Sequence, residues 1–143
     1  MTVAFYAAGT PKPQGSKRAF VVAGKARLVE SGGALHKDWR ATVAQAAHDA
    51  MAGAGPMAGP LAVRITFWLQ RPKSHPKTRQ TWPTQRPDID KLVRSVLDSL
   101  THIVWQDDSQ VTDLDADKRW AYHDSAFGPG VSVTVIPIPT SNT

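Results

Sequence analysis

Residues 86–120 read RPDIDKLVRSVLDSLTHIVWQDDSQVTDLDADKRW, and the rest of the chain is best understood outward from them. Ile89, Leu92, Val93, Val96, Leu97 and Leu100 recur at three- and four-residue spacing, an unbroken apolar stripe that predicts an amphipathic helix over 88–100. Pro87 biases Arg86 towards extended backbone, so the helix is expected to begin near Asp88. After a turn through Trp105 to Asp108 the period changes to two. Thr112, Leu114, Ala116, Trp120 and Tyr122 fall on one face, interrupted by Lys118; Asp113, Asp115, Asp117 and Arg119 fall on the other. A helix followed by a strand running back beside it is therefore the nucleus of the predicted fold.

The flanking segments extend the same alternation. Val3 to Ala8 reads as a short strand ended by Gly9 and the Pro11/Pro13 pair. Lys12 to Arg27 mixes five cations with the apolar run Ala19 to Ala23, which fits a basic hairpin or ordered loop. Its GTPKPQGSKR stretch lacks phosphate-loop spacing, because five residues separate the glycines and Ser precedes Lys. From Ser31, Leu35, Trp39, Val43, Ala46, Ala47, Ala50 and Met51 mark a second, Ala-rich helix that stops in the Gly- and Pro-containing run 53–60. Leu61 to Leu69 alternates as a strand, and Val131 to Ile138 forms a last one after the turn Phe127 to Gly130. The expectation is an α/β fold: one small domain over 1–138, a mixed sheet with two main helices on one face, and a short tail over 139–143.

Composition bounds the chemistry. The 143 residues suffice for one core of ordinary size. Cysteine is absent, which excludes disulfides, thiolate metal sites and cysteine nucleophiles, and suits a reducing cytoplasm. There is no apolar run of membrane-spanning length, and the first residues carry no positive leader, so neither a membrane span nor a signal peptide is expected. The net charge of +5 is unevenly spread. Residues 1–87 hold thirteen Lys/Arg against three acids, a balance of +10; residues 88–143 hold four against nine Asp, a balance of −5. A basic front with an acidic cluster behind it suggests a polyanion partner and a cation site. Residues 71–87, with Arg71, Lys73, Lys77, Arg79, Arg86 and four prolines, form an extended basic loop. Within it Trp82 either stacks on an unpaired base or, the commoner role for such a residue, packs beneath its own loop.

The chemical candidates are acidic. Asp88 and Asp90 diverge if both are helical, but converge if Asp88 sits at the N-cap, outside helical geometry. Asp is also a favoured cap, and acids suit a helix N-terminus, so a structural role competes with a catalytic one. A second pair, Asp107-Asp108, follows the helix, and the chain must fold back for Asp108 to reach Asp88. Three carboxylates without Cys favour a hard cation such as Mg²⁺ or Mn²⁺. The five histidines have no metal-binding spacing.

These residues also carry a resemblance. The 86–120 run resembles the signature of the RusA family of Holliday junction resolvases, crossover-junction endodeoxyribonucleases of bacteria and their phages: Asp-x-Asp-Asn, a Lys, Asp-Ala-Leu, Asp-Asp-x-Gln-Val and a later Lys. The early GTPKPQGSKR segment resembles the family's basic amino terminus more loosely. The resemblance implies that Asp88, Asp90 and Asp108 bind catalytic Mg²⁺ (or Mn²⁺), and that the later Lys corresponds to Lys118, which equally suits a structural position on its strand. Lys91 stands where the family commonly has Asn, and Arg94 where it has a functional Lys. Arg holds its proton at neutral pH, so Arg94 would clamp phosphate, with Lys91 a second candidate. Lys12, Lys17, Arg18, Lys73, Lys77, Arg79 and Arg86 would bind flanking phosphates. The implied partner is branched DNA, a four-way junction, resolved by a homodimer through paired nicks, in the cytoplasm of a bacterial cell. The competing readings are a non-catalytic nucleic-acid-binding module and a small phage structural or assembly protein.

Overall fold

The computed structural model describes residues 1–14, 17–22, 25–30, 33–75, 81–121 and 128–140, with the side chains of 17–36 outside that description. In chain order the elements are β1 (Val3–Ala8), β2 (Lys17–Val22), β3 (Lys25–Glu30), α1 (Gly33–Met51), β4 (Leu61–Leu69), α2 (Ile89–Leu100), a single 3-10 turn (Asp108–Gln110), β5 (Val111–Trp120) and β6 (Gly130–Pro137). β2 and β3 pair as a separate antiparallel hairpin, the predicted basic hairpin. The other four strands form one sheet in the order β1-β6-β4-β5.

The sheet is mixed. β4 and β5 run parallel, and β6 pairs antiparallel with both β4 and β1. A parallel pair cannot be joined by a hairpin, so the chain between β4 and β5 must cross over, and α2 is that crossover. Alternation then decides which face the helices cover. Leu61, Val63, Ile65, Phe67 and Leu69 of β4 are buried, together with Val131, Val133 and Val135 of β6 and Val3 and Ala7 of β1. Against this face α1 contributes Trp39, Val43, Ala47 and Met51, and α2 contributes Leu92, Val96 and Leu100. The opposite face of the sheet carries Arg64, Thr66 and Trp68 of β4, in register with Asp115, Asp117 and Arg119 of β5. Both predicted helices thus lie on one face, as the periodicities require.

β5 is an edge strand whose residues are mostly exposed or half-buried. Asp113, Asp115 and Asp117 line its open side, and charge on a free edge opposes pairing with other chains. Arg64 reaches across from β4 with two parallel hydrogen bonds to Asp113, at 3.0 and 3.2 Å, and holds that carboxyl below the usual range. Among the predicted features, Lys77 and Arg79, residues 122–127 and the last three residues lie outside the described residues.

Candidate active site

Asp88 is the residue before the first turn of α2, with φ −72° and ψ 138°, extended as Pro87 and the N-cap position both favour. Its side chain accepts no capping hydrogen bond from the helix. The structural alternative for this aspartate therefore loses its main support, and the carboxylate's acceptor sites are left for other use. Among the described side chains, Lys91 is the cation beside it, with Nζ 3.9 Å from Asp88 Oδ2. Asp90 follows in the first helical turn, exposed, as are Arg86, Lys91 and Arg94. The backbone N–H of Gln14 donates to the Lys91 carbonyl at 3.1 Å, which brings the amino-terminal segment with Lys12 against the same end of α2.

The carbonyls of the preceding loop are pinned from the edge strand. Lys118 Nζ donates to Gln85 O at 2.9 Å and to Pro87 O at 3.0 Å. The next residue points to the other face of β5: Arg119 stacks its guanidinium 5.1 Å from the centroid of Trp82 and donates to Asp117 at 2.7 Å. Adjacent residues of β5 thus hold the 82–87 loop from both sides of the sheet edge. Inside the loop Pro83 and Arg71 are buried, and His75 meets Trp120 edge-on with ring centroids 5.2 Å apart. Lys73 is exposed. Lys17 and Arg18 open β2, three and four residues beyond Gln14.

The second acidic pair divides by role. Asp107 caps the 3-10 turn: its Oδ1 accepts from the Ser109 N–H at 2.9 Å, and Gln110 Oε1 accepts from the Asp107 N–H at 3.2 Å. The bond from Ser109 N–H, helped by the Ser109 side chain, lowers the Asp107 pKa. Gln110 Nε2 in turn donates to the carbonyls of Met57 and Gly59, at 2.9 and 3.1 Å, and so ties the turn to the segment entering β4. Of the DDSQ run, Asp107 and Gln110 are thereby committed to building the turn, and Asp108 is left exposed. The bracing role of Gln110 is one that periodicity does not reveal; its only sequence signal is the D-x-x-Q capping-box spacing.

The single chain does not bring the three candidate carboxylates together. The 12 residues of α2 extend about 18 Å, with Asp88 before the first of them and Asp108 beyond the last. Asp108 instead lines an open cleft of about 410 Å³ with Arg40, Asp98, His102 and Asp107. The chain does fold back towards Asp88, as expected, but the side chain it delivers is Lys118. Among the described residues no three His, Cys, Asp or Glu side chains are grouped to hold a metal ion. Nor, among them, is any helix long and apolar enough to cross a membrane.

A 72-residue segment is 32% identical to the uncharacterized protein YqaN of Bacillus subtilis (strain 168), covering 44% of this chain and 51% of that protein. The chain thus spans about half the length of the curated relative it matches. The family model described as endodeoxyribonuclease RusA matches residues 9–135, from the end of β1 to β6 and so across the basic hairpin, α2 and the acidic turn. With nine-tenths of its length inside that match, the chain belongs to the RusA endodeoxyribonuclease family.

Proposed function

We propose that the protein resolves four-way DNA junctions by hydrolysing phosphodiesters at sites that use Asp88, Asp90 and Asp108, with Mg²⁺ (or Mn²⁺) as the bound cation. The observation that carries the reading is Asp88: held in extended geometry at the mouth of α2 by Pro87 and Lys118, it serves no capping function. Its distance from Asp108 within a protomer gives the reading a definite form. Asp88 and Asp90 supply the one or two carboxylates that Mg²⁺ ordinarily takes beside water and substrate phosphate, and Asp108, remote from them within one chain, joins the site from a second copy.

The outer surface of α2 supports such a pairing. Asp90 and Arg94 are exposed and Asp98 is half-buried, so the stripe runs acid, base, acid at four-residue spacing. Packed antiparallel on itself across a two-fold axis, it sets Arg94 against Asp98 of the partner subunit and turns the C-terminal end of one helix, with its acidic turn, towards the N-terminal end of the other. A symmetric dimer then holds two composite sites, the number that matched nicks in two strands demand.

A cation held by Asp88, Asp90 and Asp108 would, when bound, neutralise charge at the phosphate and lower the pKa of a bound water. The chain's own groups do the rest. Arg94 and Lys91 clamp the scissile phosphate, and Arg94 stays charged throughout. Lys12, Lys17, Arg18, Lys73, Lys77, Arg79 and Arg86 hold flanking phosphates, which makes affinity steeply salt-dependent. Lys118, with its ammonium committed to two carbonyls, positions Asp88 instead of contacting DNA.

Asp88→Asn tests the assignment. Cleavage of a synthetic junction in Mg²⁺ is expected to fall by at least about a hundredfold while junction binding persists, since removing charge stabilisation at a reacting phosphate costs that order of rate. Undiminished cleavage by this variant would remove Asp88 from the site, and no cleavage by the unsubstituted protein would return it to the class of non-catalytic DNA binders.

A further inference from the structure

Trp82 is the exposed aromatic side chain nearest in sequence to Asp88, with 52% of its surface open. Exposure on this scale forgoes the hydrophobic gain that burial gives a loop anchor. The loop does not need Trp82 as an anchor, because Pro83 and Arg71 are buried within it and Lys118 pins Gln85 and Pro87. Of the two roles open to Trp82 from sequence, packing beneath its own loop is therefore not the one adopted. The indole is nevertheless held in place. Arg119 lies over the ring at 5.1 Å, and Asp117 fixes that guanidinium through a 2.7 Å hydrogen bond to Arg119 Nε.

We infer that Trp82, backed by Arg119, is a stacking platform for an unpaired nucleobase, and that it gives the protein its preference for branched over continuous duplex DNA. Every base has a π-face, so a fixed indole beside a cation accepts one without regard to sequence; in intact duplex no base is free to take the place. Asp88 lies six positions beyond Trp82, at most about 20 Å of chain, so a base splayed out beside a strand held at Asp88 lies within reach. The residues that hold the two ends of this segment, Arg119 at Trp82 and Lys118 at the Pro87 carbonyl, are neighbours on β5 that face opposite ways, which suits a strand bending around that edge, as strands do at a branch point. The inference rests on the junction reading above for its biological substrate, but its chemistry requires only a free base.

The test uses binding without cleavage. Full-length protein, Trp82→Ala and Trp82→Phe are titrated, in buffer free of divalent cations, with a four-way junction carrying 2-aminopurine at the crossover, with oligo(dT), and with linear duplex. Trp82→Ala is expected to lose about tenfold in affinity for the junction and for oligo(dT), and to abolish the quenching of 2-aminopurine. Its duplex affinity and melting temperature are expected to be unchanged, and Trp82→Phe is expected to keep most of the affinity and the quenching. Equal losses on all three ligands, or none on any, would overturn the inference. If the unsubstituted protein shows no preference for junctions while Trp82→Ala still loses oligo(dT), the junction reading fails and the stacking platform stands.

Discussion

Replacing Lys118 by Met keeps the side chain's apolar stem and removes its ammonium, and the consequences separate a structural clasp from a DNA contact. Two charge-assisted bonds are lost, to Gln85 O at 2.9 Å and Pro87 O at 3.0 Å. Bonds of this kind contribute roughly 1.5–3 kcal/mol each when enclosed. The Gln85 carbonyl is exposed and the Pro87 carbonyl only part-buried, so water recovers much of both, leaving a net loss of about 1–2 kcal/mol. For a domain of this size the expected fall in Tm is roughly 3–6 °C, read by calorimetry. Release of the loop also lets Asp88 drift, so kcat on a junction should fall more than KM rises. A residue bound to phosphate would behave otherwise: stability would be unchanged, and the slope of log affinity against log salt would shrink by about 0.9. Finding that second pattern would refute the assignment of Lys118 as a positioning residue.

Other outcomes follow from the same contacts. Gln110→Ala deletes the brace from the acidic turn to the Met57 and Gly59 carbonyls, and should cost about 1–2 kcal/mol in urea unfolding. Asp107 and Asp113 both have pKa values lowered in the folded state, the first by Ser109 N–H and the second by Arg64. A carboxyl lowered on folding stabilises the protein above its unfolded pKa, about 3.9, and that contribution is lost as pH falls through the folded value. Stability from these two groups should therefore be constant from neutrality to about pH 5 and decline below about pH 4. Asp113→Asn should lessen that decline; an identical acid slope in the variant would contradict the Arg64–Asp113 account.

Much of this architecture is legible in the chain because burial imposes period. The α2 stripe, the alternation of Leu61 to Leu69, and the reversal from helix to strand near Trp105 each predict an element found within a residue or two of its place. Less legible is anything that depends on which end of an element meets which. The folded-back strand does return to Asp88, but spacing cannot say how far it runs before arriving. The ten residues of β5 carry it past the acidic turn, so Lys118 and not Asp108 is delivered. Asp107 and Asp108 are likewise identical in composition, and the hydrogen bond from the Ser109 N–H marks the first as the cap and leaves the second as its exposed neighbour. Trp82 leaves two roles open until its exposure and its Arg119 partner are known.

The central claim, that each site takes Asp88 and Asp90 from one copy and Asp108 from another, is tested most directly by mixing two inactive variants. Asp88→Asn and Asp108→Asn are unfolded together, refolded and given junction DNA with Mg²⁺, while Mn²⁺ binding is followed in parallel by electron paramagnetic resonance. In a shared-site dimer one site of each mixed pair carries both substitutions and the other carries neither. The account predicts that the mixture regains single-strand nicking and one tight Mn²⁺ site per mixed dimer, without paired resolution. A mixture as inactive as its two components, with no recovered Mn²⁺ binding, would contradict it.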